Sequence, residues 1–114
     1  MDTDELVTKW QREMKKGFAK PLLLRAISKE RSYPYKLSKM IDEETKGQIK
    51  IATTNIYPLL KDLTDDGLIT KIDDPDSLRT YYQITETGIE FLHVLGRSIK
   101  TFMNMMNFKL LKED

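Results

Sequence analysis

The stretch IATTNIYPLLKDLTDDGLI, residues 51–69, decides the fold of this chain. Apolar residues recur along it at positions 56, 59, 60 and 63, so the pattern predicts a helix with one buried face. Pro58 falls near the front of that helix, where at most one backbone hydrogen bond is missing, and Gly67 is a typical C-terminal cap. If Thr53 or Thr54 caps the helix, its front is intact and its first turns are exposed.

The face opposite the apolar stripe presents Thr54, Asn55, Pro58 and Lys61, with Tyr57 at its side. An Asn side chain can pair with an adenine edge, a Thr hydroxyl with a base or a phosphate, and a Lys with a phosphate. The amides of the first helical turn can also hold an anion. These residues are therefore candidates for contacts in a DNA groove, although an ordinary capped surface helix would carry the same Thr and Asn residues.

The composition of the 114-residue chain predicts one small, water-soluble domain, with 39% hydrophobic and 32% charged residues. No apolar run approaches the roughly 20 residues that span a bilayer, and the N-terminus lacks the order of a signal peptide. We therefore expect a cytoplasmic protein without a membrane partner. With no cysteine and one histidine, thiolate chemistry, disulfides and the usual zinc sites are excluded by the residue inventory.

The net charge of +1 conceals an asymmetry between the two halves of the chain. Residues 1–61 carry 13 Lys or Arg and 8 Asp or Glu, a net charge of +5, whereas residues 62–114 carry 6 and 10, a net charge of −4. This distribution indicates a basic working face on the first half, although scattered solvated charges would give the same count.

The segments that flank the central helix predict the remaining elements. Asp2 and Glu5 resemble a capping box before a short first helix, Pro21 suits the first turn of a second helix, and Pro34 can open a third. LITKI and RTYYQI are β-prone runs on either side of a turn, and a long last helix begins near Thr85. The predicted fold is mainly α with a small β-hairpin wing (α+β): a winged helix-turn-helix with an additional N-terminal helix and a long C-terminal helix.

Three ordered segments carry a resemblance to a known family. SYPYKLSKMI, TNIYPLLKDLTDDGLI and SLRTYYQITETG, beginning at residues 32, 54 and 77, resemble the PadR family of winged-helix transcriptional regulators in content and spacing. The single long C-terminal helix resembles the compact subfamily. Pro34 replaces the glycine usual between two tyrosines, and the wing carries Arg79 where relatives often have two or three basic residues. The positions that match are Tyr57, Pro58, Gly67, Tyr81, Tyr82, Thr85 and Gly88.

The resemblance implies a homodimeric DNA-binding regulator, usually a repressor, which in some members releases DNA when a phenolic or hydrophobic compound binds. We expect residues 1–84 to form the DNA-binding domain and residues 85–114 to form a dimerisation helix within the same compact unit. Tyr33 and Tyr35 are candidate phosphate contacts or half-buried packing residues, and packing is the favoured prediction for Tyr35. Lys36 and Lys39 are each either a phosphate contact or a solvated lysine. The predicted DNA contacts are Tyr33, Lys36, Lys39, Thr53, Thr54, Asn55, Tyr57, Lys61 and Arg79.

The last helix carries an apolar stripe too long for a small domain to cover, which favours a twofold dimer that places two recognition helices one DNA turn apart. The predicted interface comprises Leu6, Trp10, Met14, Leu92, Leu95, Ile99, Phe102, Met103, Met106 and Leu110. Within this set, Trp10, Phe102, Met103 and Met106 form either a plain dimer core or an adaptable effector pocket.

Two other functions are compatible with the sequence. Asp73, Asp74 and Asp76 make the wing tip acidic, so the winged helix could instead be a protein-interaction module without sequence-specific DNA binding. A sensor of hydrophobic ligands is a further alternative. An enzyme is not predicted, because no nucleophile, base and orienting group can be assembled, and neither a cofactor nor a metal is expected.

Overall fold

The structure, a computed structural model, describes residues 1–111; positions 112–114 of the predicted C-terminal segment lie outside the described residues. It consists of α1 (Thr3–Lys15), α2 (Ala19–Lys29), α3 (Pro34–Glu44), α4 (Thr53–Asp65), β1 (Ile69–Asp74), β2 (Arg79–Ile84) and α5 (Glu86–Met106). A 3₁₀ turn, Lys16–Phe18, joins α1 to α2, and a π-helical turn, Asn107–Leu111, follows α5. The predicted winged-helix order, with extra helices at both ends, is confirmed.

The hydrophobic core lies where α2, α3 and α4 meet the base of the wing. Helix α2 contributes four of its eleven residues to this core. Helices α3 and α4 each turn one apolar stripe toward it, at the spacing that the sequence predicts. The core consists of the buried hydrophobic residues Leu23, Leu24, Ala26, Ile27, Leu37, Ile41, Ile56, Leu60, Leu63, Leu68, Ile69 and Tyr82.

Helix α4 begins one residue earlier than a cap at Thr53 predicts, and two earlier than a cap at Thr54. Ala52 is its N-cap and makes no side-chain hydrogen bond to the helix, so the prediction that Thr53 or Thr54 caps it is wrong. The preceding residue, Ile51, is partly buried against the core, and its carbonyl accepts a hydrogen bond of 2.8 Å from the Ser38 hydroxyl. This anchor fixes the loop from α3 to α4, so tertiary packing sets the start of the helix. Pro58 is consequently its sixth residue.

The other end of α4 is fixed by Gly67, which adopts a φ of +77°. Its amide donates to the Thr64 carbonyl (3.0 Å), and the Leu68 amide donates to the Leu63 carbonyl (3.0 Å). These two bonds form a Schellman motif, and glycine adopts the left-handed conformation that this motif requires at a lower cost than other residues. The chain therefore turns directly from α4 into β1.

The wing is a two-stranded antiparallel hairpin, with Ile69 opposite Ile84 at its base and Asp74 opposite Arg79 at its tip. Ser32, in the loop between α2 and α3, pairs with the wing by exchanging backbone hydrogen bonds of 3.0 and 2.7 Å with Tyr82. This bridge attaches the wing to the helices, so the start of α3 and the wing are held side by side.

Helix α5 starts close against the end of α4. The Thr85 hydroxyl accepts a hydrogen bond from the Gly88 amide (3.0 Å) and donates to the Gly67 carbonyl (2.7 Å). Gly88 is the one buried residue of the helix, whereas Leu92 is partly buried against the core. Beyond Leu92 the helix leaves the core, and the described chain is elongated, measuring 58 × 32 × 22 Å.

Candidate nucleic-acid interface

The exposed front of α4 forms a ridge. With Ile56, Leu60 and Leu63 turned inward, Thr54, Pro58 and Lys61 lie on the opposite side and are exposed. Tyr57 and Asn55, also exposed, flank this ridge on either side, separated by about 160° of arc at roughly 100° per residue. A convex helix with polar side chains across such an arc has the shape of an element that enters a DNA major groove.

One flank of the ridge faces the wing across a groove of about 440 Å³. Cations and phenol rings dominate its walls. The groove is lined by Tyr33, Pro34, Tyr35, Thr53, Tyr57, Lys71, Arg79, Thr80 and Tyr82. Such hydroxyl, ammonium and guanidinium groups are the usual partners of phosphate oxygens in protein–DNA complexes.

Four predicted contact residues, Tyr33, Thr53, Tyr57 and Arg79, meet in this groove, although they come from α3, α4 and β2. Lys71 and Thr80 also line it and were missed by sequence reasoning. Lys71 lies opposite Tyr82 in the hairpin, and this position could be predicted only from the register of the two strands. Burial raises the pKa of the Tyr82 phenol above its ordinary value.

Two tyrosine rings with an arginine over each lie at the wing side of this groove. The Arg79 guanidinium lies 4.3 Å from the centre of the Tyr33 ring, and Tyr33 meets Tyr81 edge-on with ring centres 5.6 Å apart. Arg31 lies 4.8 Å from the centre of the Tyr81 ring. This cation–π contact holds the Arg79 guanidinium beside the groove that it lines, within reach of an anion there.

Tyr33 and Tyr35 occupy different environments. Tyr33 is the N-cap residue of α3 and is half-buried in the aromatic stack, whereas Tyr35 is 66% exposed. The prediction that Tyr35 packs half-buried against the core is therefore wrong. Pro34 occupies the buried position at this end of α3, which directs Tyr35 toward solvent.

Two of the predicted cationic contacts already have a carboxylate partner. The Lys36 ammonium lies 2.7 Å from Glu30, and the Lys61 ammonium lies 2.7 Å from Asp65. These hydrogen bonds raise the pKa of both lysines, and the bond from Lys36 lowers the pKa of Glu30. Both pairs are exposed, so they are weak, and a phosphate could replace either carboxylate.

Lys39 and Lys71, in contrast, make no ion pair with any carboxylate of residues 1–111. Lys39 is an exposed residue of α3, and Lys71 stands on the wing-side groove. Both ammonium groups can therefore meet an anion without first leaving a carboxylate.

The predicted dimer residues lie on helices that the chain itself hardly covers. No residue of α1 is buried, and Trp10 is 61% exposed beside Leu6 and Met14 on one face. On α5, Leu92, Leu95, Ile99 and Met106 are half-buried, whereas Phe102 and Met103 are exposed. Leu110, in the π-helical turn that follows α5, is also exposed.

The predicted effector residues are not brought together within one chain. The cavity of about 370 Å³ at Trp10 is lined by α1 residues alone. Phe102, Met103 and Met106 lie far along α5 and do not line it. A pocket containing all four residues would need a second chain.

A family model matches the part of the chain that forms this site. The model described as "Transcriptional regulator PadR-like family" matches residues 23–94, which run from α2 into α5. The chain belongs to the PadR-like family. PadR-like regulators bind DNA and are transcriptional regulators rather than enzymes.

Solved structures of PadR-like proteins are similar over nearly the whole chain. A PadR family transcriptional regulator from Eggerthella lenta DSM 2243 has a TM-score of 0.83 at 26% identity, covering 97% of this chain and 96% of its own. A PadR-like transcriptional regulator from Bacillus cereus strain ATCC 14579 has a TM-score of 0.76 at 32% identity, covering 89% and 99%.

A transcriptional regulator from Clostridium thermocellum shares the fold, with a TM-score of 0.77 at 24% identity over 86% of this chain and 98% of its own. A search of curated proteins finds no match. In the portion of this PadR-like chain that the structure describes, no helix is long and apolar enough to cross a membrane. Nor do those residues contain a group of three His, Cys, Asp or Glu side chains placed to hold a metal ion.

Proposed function

We propose that this PadR-like protein is a sequence-specific transcriptional regulator that binds an inverted-repeat operator as a homodimer and acts as a repressor. The observation that carries the proposal is the polar ridge of α4 beside a groove lined with tyrosines and cations. Thr54, Asn55, Tyr57 and Lys61 would enter the major groove, where Lys61 would contact a phosphate at its edge. Asn55 would pair with an adenine edge, and Thr54 would donate to a base or a phosphate.

Phosphate contacts would surround this ridge. Arg79, held over the Tyr33 ring, and the Tyr33 hydroxyl would contact one backbone strand from the wing-side groove, with Thr53 at its floor. Lys36 and Lys39 would contact phosphates from α3. Lys71 joins this set because it lies in the same groove without a carboxylate partner among residues 1–111. These contacts would orient the protein, while the ridge supplies the specificity.

Dimerisation is supported by the two uncovered helices. Isolated apolar side chains on a surface are normal, but α1 and α5 both carry continuous stripes, and a partner chain would cover them. We propose residues 1–84 as the DNA-binding part and residues 85–114 as the dimerisation helix. A twofold axis through α5 would place two copies of α4 about one DNA turn apart, which is the spacing that an inverted repeat requires.

An effector is proposed at the same interface. Trp10 from one chain, with Phe102, Met103 and Met106 from the other, would enclose a site for a small hydrophobic or phenolic compound. Methionine side chains repack readily around ligands of different shapes. Binding there would shift the two α4 helices relative to each other and release the operator. Because its target is genomic DNA, we place the protein in the cytoplasm.

The test is the affinity of a double variant, Asn55→Ala with Lys61→Ala, for a DNA fragment that the purified protein has selected from genomic DNA. Fluorescence anisotropy should give at least a 100-fold loss, because one base pairing and one phosphate contact are worth about 1–3 kcal/mol each in each half-site. The matched control is Lys29→Ala, which removes an exposed lysine that is also paired with a carboxylate, Glu44. Circular dichroism should be the same for all three proteins. Equal affinity of the double variant and the control would refute the assignment of the ridge.

The protein-interaction alternative rests on the acidic wing tip formed by Asp73, Asp74 and Asp76. The salt dependence of DNA binding by the wild-type protein distinguishes the two functions. DNA binding should weaken steeply, with a log–log slope of about −0.9 for each phosphate neutralised. A flat response, or no retention on DNA, would favour a protein partner instead.

A further inference from the structure

A second groove, of about 530 Å³, lies on the flank of α4 that faces away from the wing. Three segments form it: the end of α1 with the 3₁₀ turn, the loop that precedes α4, and the first turns of α4. Asn55 stands at its edge, so the groove is continuous with the ridge proposed to contact bases. The other polar side chains that line it are Arg12, Lys15, Lys16, Gln48 and Lys50.

The charge in this groove is unbalanced. It is lined by four cations and no carboxylate. None of the four makes an ion pair within residues 1–111, whereas Lys20, Lys29, Lys36 and Lys61 each have a carboxylate within 4 Å. Like charges gathered on a concave surface raise the local potential and attract an anion.

The groove is also built by tertiary contacts. The Lys15 ammonium donates a hydrogen bond of 3.0 Å to the Gln48 side-chain carbonyl, which ties the end of α1 to the loop before α4. Ile49 and Ile51 of that loop are partly buried against the core. These contacts hold the end of α1 and the loop before α4 together, so the cations stand on one fixed surface.

The direction of α1 keeps this groove accessible in the proposed dimer. Trp10 and Met14 lie on the apolar face of α1, and Arg12 lies on the far side, about 160° from each of them at roughly 100° per residue. A partner chain that covers Trp10 would therefore leave Arg12 facing the groove.

From these observations we infer that the groove binds backbone phosphates of the DNA that flanks each half-site, on the side opposite the wing. The inference rests on the proposed function and extends it: α4 would be held by phosphate contacts on both flanks. The chemistry fits phosphates rather than bases, because the groove offers ammonium and guanidinium groups with two amide side chains and no aromatic surface. The operator would accordingly extend beyond the base pairs that α4 contacts.

The test is a triple variant, Arg12→Ala, Lys16→Ala and Lys50→Ala, which leaves the bond between Lys15 and Gln48 in place. The matched control, Arg25→Ala with Lys29→Ala and Lys46→Ala, removes the same net charge from exposed residues that do not line this groove. Affinity is measured over a range of salt concentrations on two selected duplexes, one trimmed to its half-sites and one extended by ten base pairs on each side.

On the extended duplex the triple variant should bind about 10-fold to 100-fold more weakly than the control at 0.1 M salt, and its slope should be shallower by about 3 for each chain. On the trimmed duplex the triple variant and the control should be nearly equal. If they coincide on both duplexes while wild type binds with its normal slope, the groove inference is overturned and the proposed function stands. If wild type binds neither duplex, the proposed function fails and the groove inference fails with it. Loss of retention on polyglutamate by the triple variant, with DNA affinity unchanged, would assign the groove to an acidic protein and also overturn the inference.

Discussion

Replacing Gly88 with alanine should loosen the packing of α5 against the winged helix. A Cβ atom built at Gly88 would lie 2.1 Å from the Leu68 carbonyl oxygen and 2.7 Å from Cγ1 of Ile84, both too close for any real contact. The Leu68 carbonyl would have to move by about 1 Å to reach an ordinary C···O separation of about 3.3 Å. It accepts a hydrogen bond of 3.0 Å from the Thr85 amide, so the junction between β1 and α5 would open.

The size of the effect follows from these contacts. One lost backbone hydrogen bond costs about 1 kcal/mol, the weakened Thr85 cap about 1 kcal/mol, and the residual crowding about 1–3 kcal/mol. The higher helix propensity of alanine recovers about 1 kcal/mol. We expect the free energy of unfolding to fall by about 3 kcal/mol, which lowers the urea midpoint by about 1.5 M for a chain of this size.

The assay is urea unfolding followed by circular dichroism at one fixed protein concentration, because the stability of a dimer depends on concentration. Thr87→Ala is the matched control: it adds an alanine to the same turn of α5 at an exposed position whose side chain makes no hydrogen bond within residues 1–111. It should change the midpoint by less than 0.5 M, about 1 kcal/mol at an m-value of about 2. If Gly88→Ala unfolds at the same urea concentration as Thr87→Ala, the close approach of Gly88 to Leu68 does not contribute to the packing of α5 against the wing.

Two further predictions concern the ridge and the dimer. Asp65→Asn removes the carboxylate that holds Lys61 at 2.7 Å, together with a negative charge near the DNA, so operator affinity should rise about threefold to tenfold. An unchanged or lower affinity by anisotropy would contradict a phosphate contact from Lys61. Trp10→Ala should weaken dimerisation at least 30-fold while leaving the monomer folded, since α1 contributes no buried residue to its own chain. Sedimentation equilibrium measures this, with Lys9→Ala, which lies off the apolar stripe, as control; equal dimer constants would show that α1 is not in the interface.

Much of the fold could be predicted from local patterns. The apolar spacing around Ile56 and Leu60, the glycine at position 67 and the proline at position 34 each specify a helix face or end through nearby residues. Asp2 behaves as predicted, since its carboxylate accepts the Glu5 amide at 2.8 Å. These signals act within a few residues, so a single sequence contains them in full.

The features that the sequence did not predict depend on distant contacts. The start of α4 at Ala52 is set by the anchored Ile51, and the exposure of Tyr35 follows from the burial of Pro34 against the core. The position of Lys71 in the wing-side groove depends on the hairpin register, which the turn sequence alone does not specify.

The ion pairs of the candidate site also escaped sequence reasoning, for the same physical reason. The pair between Lys36 and Glu30 spans the turn from α2 to α3, so its geometry depends on how the two helices pack. The basic groove brings Lys50, from the loop before α4, beside Arg12 and Lys16 at the end of α1, and these two segments are near each other only after folding. In the sequence these cations are visible as the excess positive charge of residues 1–61, without an indication of where they converge.

The central claim is that two copies of the α4 ridge contact DNA bases at a fixed separation. The most direct measurement is the set of sequences that wild type and Asn55→Ala each enrich from a random duplex library. Wild type should enrich an inverted repeat whose half-sites have centres about 10 base pairs apart, and Asn55→Ala should lose the preference at one position in each half-site. Enrichment of a single unpaired site, or the same motif for both proteins, would contradict the account.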